Sequence, residues 1–155
     1  LRPAAPEIVV GLPTLGLTLA RAVAERLRHS RYVPLGTSRK FWYDEMLAAD
    51  MSSITSPGAV KRLYLDPRML PLLEGRRVAL IDDVISTGRS ITAGLQVLAS
   101  AGITPVAIGA AMLQTDRWRP ALAALGMESH VYAVFATPML NRRNGGWEPL
   151  AEGPA

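Results

Sequence analysis

The chain has 155 residues, enough for one domain with a substantial core. It has no cysteine, which excludes disulfides and thiolate metal sites, and no apolar run long enough to cross a bilayer. A net charge of +4 favours anionic ligands, but there is no long basic run and little interleaving of basic and aromatic residues. The expectation is a single domain over residues 1–155, cytoplasmic, with neither nucleic acid nor membrane as partner. No repeat, low-complexity tract or signal-peptide pattern is visible. The two histidines, His29 and His130, lie far apart and read as structural.

Residues 8–10 form a brief apolar run before Gly11, Leu12, Pro13, Thr14, Leu15 and Gly16, which predicts a first strand and a tight loop. From Leu17 onward, Leu19, Ala20, Val23, Ala24 and Leu27 recur at three- and four-residue spacing. That spacing predicts an amphipathic helix, with Arg21, Arg26 and Arg28 on its solvated face. Strand, glycine loop and helix make the opening half of a βαβ unit. Residues 32–36 read as the second strand, ending in Thr37, Ser38, Arg39 and Lys40. Residues 41–67 are the least regular. Within them 52–55 and 60–65 alternate as two strands, and Ser56, Pro57 and Gly58 between them are turn chemistry. Phe41, Trp42 and Tyr43 form an aromatic cluster that reads as packing, a dimer interface being one place for it, rather than as base stacking.

Residues 77–90, RVALIDDVISTGRS, are the centre of the chain. Val78, Ala79, Leu80 and Ile81 are a short apolar run of the kind buried on both faces of a sheet. Asp82 and Asp83 follow where such a strand is expected to end. Ser86, Thr87, Gly88, Arg89 and Ser90 then form a hydroxyl-rich turn opening a helix. In an open parallel sheet ligands sit beyond the carboxyl ends of the strands, and a helix N-terminus there suits a phosphate. The acidic pair cannot hold that phosphate; it fits the vicinal hydroxyls of a sugar, or a cation held through water. Together the two features describe a site for a ribose 5-phosphate. Beyond it, Ile91, Leu95, Val97, Leu98 and Ala101 predict a helix closed by Gly102. Residues 105–113 predict a buried strand, 118–125 a short helix ending in Gly126, and 130–136 the last strand. Strands and helices alternating over this length predict an α/β fold: a doubly wound, mostly parallel five-stranded sheet with helices on both faces. The tail, residues 137–155, breaks the pattern with Pro138, Gly145, Gly146, Pro149 and Pro154.

From Val78 to Ser90 the sequence resembles, without a gap, the signature of type I phosphoribosyltransferases, enzymes of phosphoribosyl pyrophosphate (PRPP). The signature is four apolar residues, two acidic, two apolar, a small residue, Thr-Gly, any residue and Ser or Thr. The resemblance implies transfer of the 5-phosphoribosyl group from PRPP to a nitrogen of a base, with Mg2+ as cofactor and a homodimer as the assembly; a purine-like base is favoured, and pyrimidine or unusual acceptors stay open. It implies that Asp82 and Asp83 face the ribose hydroxyls and the water shell of magnesium, with no direct protein ligand to the metal. Ser86, Thr87, Gly88, Arg89 and Ser90 would hold the 5-phosphate. Thr14, Leu15 and Gly16 would hold the pyrophosphate through backbone amides, in a loop where members often carry a non-proline cis peptide. Many members place Arg or Lys in that loop, and Thr14 and Leu15 stand there instead. Arg39 and Lys40 read either as the missing charge or as a solvated basic pair. Residues 37–67 would contain a flexible flap bringing Lys61 and Arg62 to the phosphates. Residues 137–155 would form a small hood, whose Trp147 either stacks on the base or pins a loop to the body. In hypoxanthine-guanine members an Asp stands at the place of Ser86, and a serine is no comparable base near neutral pH. This weighs against those substrates. No catalytic residue is assigned. The alternative is a PRPP-binding regulatory module without turnover.

Overall fold

The computed structural model describes residues 1–51, 61–143 and 145–150. Its main sheet has five strands: β1 (Ile8–Gly11), β2 (Val33–Pro34), β5 (Val78–Ile85), β6 (Ala107–Gln114) and β7 (Val131–Thr137). Their spatial order is β2-β1-β5-β6-β7, every pair parallel, so the strand carrying the acidic pair is central. This is the doubly wound α/β sheet expected from the alternation of elements.

The alternation of side chains along β1 and β5 makes two cores. On one face Val9, Ala79, Ile81 and Ala107 pack with Ala20 and Ala24 of α1 (Gly16–Arg26). On the other, Val10, Leu80 and Ile108 pack with Ile91, Val97 and Leu98 of α2 (Arg89–Ser100) and Leu122 of α3 (Arg119–Ala123). Small residues bring the helices close. A Cβ on Gly11 would sit 2.7 Å from that of Ala20, so α1 can lie on β1 only because position 11 has none.

Several boundaries differ from the sequence reading. β5 does not stop at the acidic pair; it continues to Ile85, because β6 extends alongside and pairs Val84 with Met112 and Ile85 with Leu113. β2 is shorter than residues 32–36. Leu35 still donates its N–H to Gly11, but Gly36 turns to bridge Tyr64. β4 (Lys61–Tyr64) falls within the strand expected at 60–65, but its antiparallel partner is β3 (Ala48–Met51), ahead of the expected arm, with Ala48 opposite Tyr64. The arm expected at 52–55 and the turn at Ser56, Pro57 and Gly58 lie outside the described residues. In the tail, β8 (Leu140–Arg143) and β9 (Gly146–Pro149) form a second antiparallel pair. None of the described helices is long and apolar enough to cross a membrane.

Candidate functional site

The site is built where β1 gives out and β5 goes on. β1 ends opposite Ile81, and Leu12 donates its N–H to the Ile81 carbonyl at 2.9 Å. Beyond that point β5 keeps its β6 neighbour, with Asp82 opposite Ala110, but among the described residues it has no strand on the β1 side. The loop from Leu12 to Leu15 fills that side, and the peptide between Pro13 and Thr14 is cis. It delivers the start of α1 directly against the acidic pair. A Cβ on Gly16 would lie 2.8 Å from Oδ1 of Asp82 and 3.0 Å from its Cα. Glycine is required here for close approach, a role that the sequence alone did not reveal.

Asp82 is buried and Asp83 half-buried. Burial pushes the Asp82 carboxyl up to about 7, and the neighbouring Asp83 carboxyl adds to the rise. The Asp83 N–H donates to Asp82 Oδ1 at 2.9 Å and works the other way. The two carboxylates are thus a strained electrostatic pair that a cationic or hydroxyl-rich ligand would relieve. Among the described residues no three His, Asp or Glu side chains gather as a metal site. The two adjacent carboxylates are hard oxygen donors, a set that fits a divalent ion taking its remaining oxygens from substrate and water, as Mg2+ does.

Next to the pair, Ser86, Thr87, Gly88, Arg89 and Ser90 curve around a cavity of about 100 Å³, with Asp82 on its rim. Gly88 is the N-cap of α2 at φ 79°, and no side chain caps the helix. The first amides of a twelve-residue helix are therefore left without a side-chain acceptor, which suits an anion. Behind Gly88 stands Trp118, whose carbonyl oxygen would be 3.4 Å from a Cβ at that position. The fold thus closes one side of the turn with the start of α3, a partner 30 residues away that no local pattern announces.

The remaining candidates lie on two further elements. Arg39 and Lys40 are exposed on the segment that leaves β2 beside the loop of residues 12–15. Lys61 and Arg62 stand on β4; Lys61 is exposed, while Arg62 is half-buried, paired with Glu45 and Asp50, and lies over the Tyr64 ring. Trp147 is 68% exposed on β9, opposite Arg142. The aromatic cluster divides. Phe41 is 96% exposed, whereas Trp42 lies against the Arg68 guanidinium at 4.2 Å and donates to Asp66. Packing accounts for Trp42 and Tyr43 but not for Phe41.

The model of the phosphoribosyl transferase domain matches residues 3–138. The chain belongs to the type I phosphoribosyltransferase family. Over 134 residues it is 30% identical to an orotate phosphoribosyltransferase of Halorhodospira halophila, covering 86% of this chain and 55% of that one. Over 103 residues it is 32% identical to the transcriptional regulator GfcR of Halobacterium salinarum, covering 66% of this chain and 42% of that one. The chain thus spans about half the length of the curated relatives it matches. Among solved structures, the adenine phosphoribosyltransferase of Rhodothermus marinus superposes with a TM-score of 0.67 at 23% identity, over 88% of this chain and 78% of that one. The likeness is one of fold. In this phosphoribosyltransferase domain the acidic pair and the glycine turn that resemble the family's signature lie together at the carboxyl end of the central strand.

Proposed function

We propose that the protein transfers the 5-phosphoribosyl group of PRPP to a nitrogen of a purine-like base and releases pyrophosphate. The observation that carries this reading is the juxtaposition of an uncapped helix N-terminus, two adjacent carboxylates and a second helix start at Gly16. The amides and hydroxyls of Thr87, Gly88, Arg89 and Ser90, with Ser86, hold the 5-phosphate. Asp82 and Asp83 accept hydrogen bonds from the ribose hydroxyls. The amides of Thr14, Leu15 and Gly16 face the pyrophosphate, and Arg39, Lys40, Lys61 and Arg62 bring the positive charge that this loop lacks. Trp147 of the hood offers an exposed ring to the base. A base nitrogen then bonds to carbon 1, the bond from carbon 1 to the pyrophosphate oxygen breaks, and its electron pair leaves with pyrophosphate. Magnesium, when bound, neutralises charge on that leaving group. The protein's own contribution is to hold both substrates in line and keep water from the reacting carbon.

Val134 and Phe135, 81% and 53% exposed on the edge strand β7, support a homodimer that covers them. We place the protein in the cytoplasm, acting in nucleotide metabolism such as purine salvage. A specific observation favours a second reading. The loop of residues 12–15 carries no cation, and one relative is a transcriptional regulator, so a PRPP-binding module without turnover is the alternative. A screen of purine and pyrimidine bases with PRPP and Mg2+, read by pyrophosphate release, separates the two. Release with a purine supports the enzyme. Calorimetric PRPP binding without release from any base supports the module, and no binding at all overturns both.

A further inference from the structure

Glu45 already engages two of the guanidinium groups that the proposed function assigns to pyrophosphate. Its Oε1 meets Nε of Arg39 at 2.7 Å, and its Oε2 meets Nη1 of Arg62. Asp50 lies on the other side of Arg62, its Oδ1 3.1 Å from Nε, but that buried nitrogen finds no hydrogen-bond partner among the described residues. The backbone that carries this carboxylate is held in place. Asp44 caps the short turn Glu45–Leu47 by accepting from the Met46 amide at 2.9 Å, and Leu47 is buried in the core. The Glu45 and Arg39 side chains themselves are both exposed.

The topology sets this cluster at the working edge of the sheet. Leu35 donates to the Gly11 carbonyl at 2.9 Å, and Gly36 and Tyr64 exchange two backbone hydrogen bonds at 3.0 and 2.8 Å. The strand that carries Arg62 and the segment that carries Arg39 therefore leave the fold beside the point where the loop of residues 12–15 begins. That loop has no cation of its own. A carboxylate with one oxygen on each of two guanidiniums mimics the way an arginine pair holds neighbouring oxygens of a phosphate.

We propose, on the reading of the chain as a PRPP-binding domain, that Glu45 is an internal competitor for the diphosphate. In the free protein it occupies Arg39 and Arg62; a pyrophosphate group displaces it and takes both. Ion pairs this exposed cost little to break, so the exchange is reversible and lowers affinity without abolishing it. A ligand that carries only a 5-phosphate has nothing with which to displace Glu45. The carboxylate therefore affects ligands by whether they bear a diphosphate.

The test is calorimetry on the parent and Glu45→Gln proteins with three probes: PRPP with Mg2+, pyrophosphate with Mg2+, and ribose 5-phosphate. The variant is expected to bind PRPP and pyrophosphate about fivefold more tightly and ribose 5-phosphate unchanged, the gain of freeing two exposed pairs. Adding Arg39→Gln to Glu45→Gln should remove most of that gain. If the parent binds none of the three probes, the PRPP reading itself falls, and this inference with it. If the parent binds PRPP and Glu45→Gln binds it equally or more weakly, the inference alone is overturned, and Glu45 is a residue that positions the arginines.

Discussion

On the proposed function, Asp82 joins stability and ligand binding in one side chain. Its native carboxyl titrates near 7, against about 4 in an unfolded chain. Between those values the folded state keeps the proton and the unfolded state does not. The stabilising contribution is therefore complete below about pH 4 and is lost as the pH rises through 7. Without ligand, Asp82→Asn should be more stable than the parent at pH 8, by on the order of 2–4 kcal/mol, and the difference should shrink toward pH 5. Denaturant unfolding at the two pH values checks this. The same substitution should weaken Mg2+-dependent PRPP binding at least about tenfold, the loss of a charge-assisted hydrogen bond, and so should Asp83→Asn. Binding of inorganic phosphate should barely change in either variant. Thr87→Val should do the reverse, weakening every ligand with a 5-phosphate. Calorimetry showing both aspartate variants binding PRPP like the parent would make the pair structural.

At the scale of elements, the closeness of α1 to β1 decides where the loop between them points. Gly11→Ala forces a Cβ to within 2.7 Å of the Ala20 side chain, so α1 must shift. The expected cost is about 1–3 kcal/mol, seen as a lower thermal midpoint, with weaker pyrophosphate binding because Gly16 moves with the helix. The five strands were legible because each is an apolar run too short for a helix and bounded by glycine, proline or charge. The acidic pair and the glycine turn were legible as a motif. Other features were not. β5 outruns Asp83 because β6 lies beside it, and nothing in residues 82–85 records that. β3 was missed because Ala48, Ala49 and Asp50 have poor strand propensity and pair only under the influence of β4. The joining of Arg39 and Arg62 by Glu45 spans 6 and 17 positions of irregular chain, beyond the reach of any periodicity.

At the scale of the whole molecule, the sheet has unequal edges. β2 is two residues long, a blunted edge, while β7 runs for seven with Val134 and Phe135 exposed. Light scattering behind a sizing column should give twice the mass of one chain; a monomer at micromolar concentration would remove the homodimer from the proposal. The strand order also dictates how the chain can assemble. Ala79 meets Ala107 across 28 positions, but Ile8 meets Val78 across 70. Closing the longer loop costs about 0.8 kcal/mol more in chain entropy, before any contact repays it. The unit β5-α2-β6, which holds the phosphate turn, can therefore form as a nucleus, with β1 docking afterwards. In stopped-flow experiments Ile108→Val should mainly slow folding, and Val9→Ala should mainly speed unfolding. On the proposed function, the half of the site assigned to the 5-phosphate would then exist before the half assigned to the pyrophosphate, so ribose 5-phosphate added to the refolding buffer should speed folding, and pyrophosphate should not.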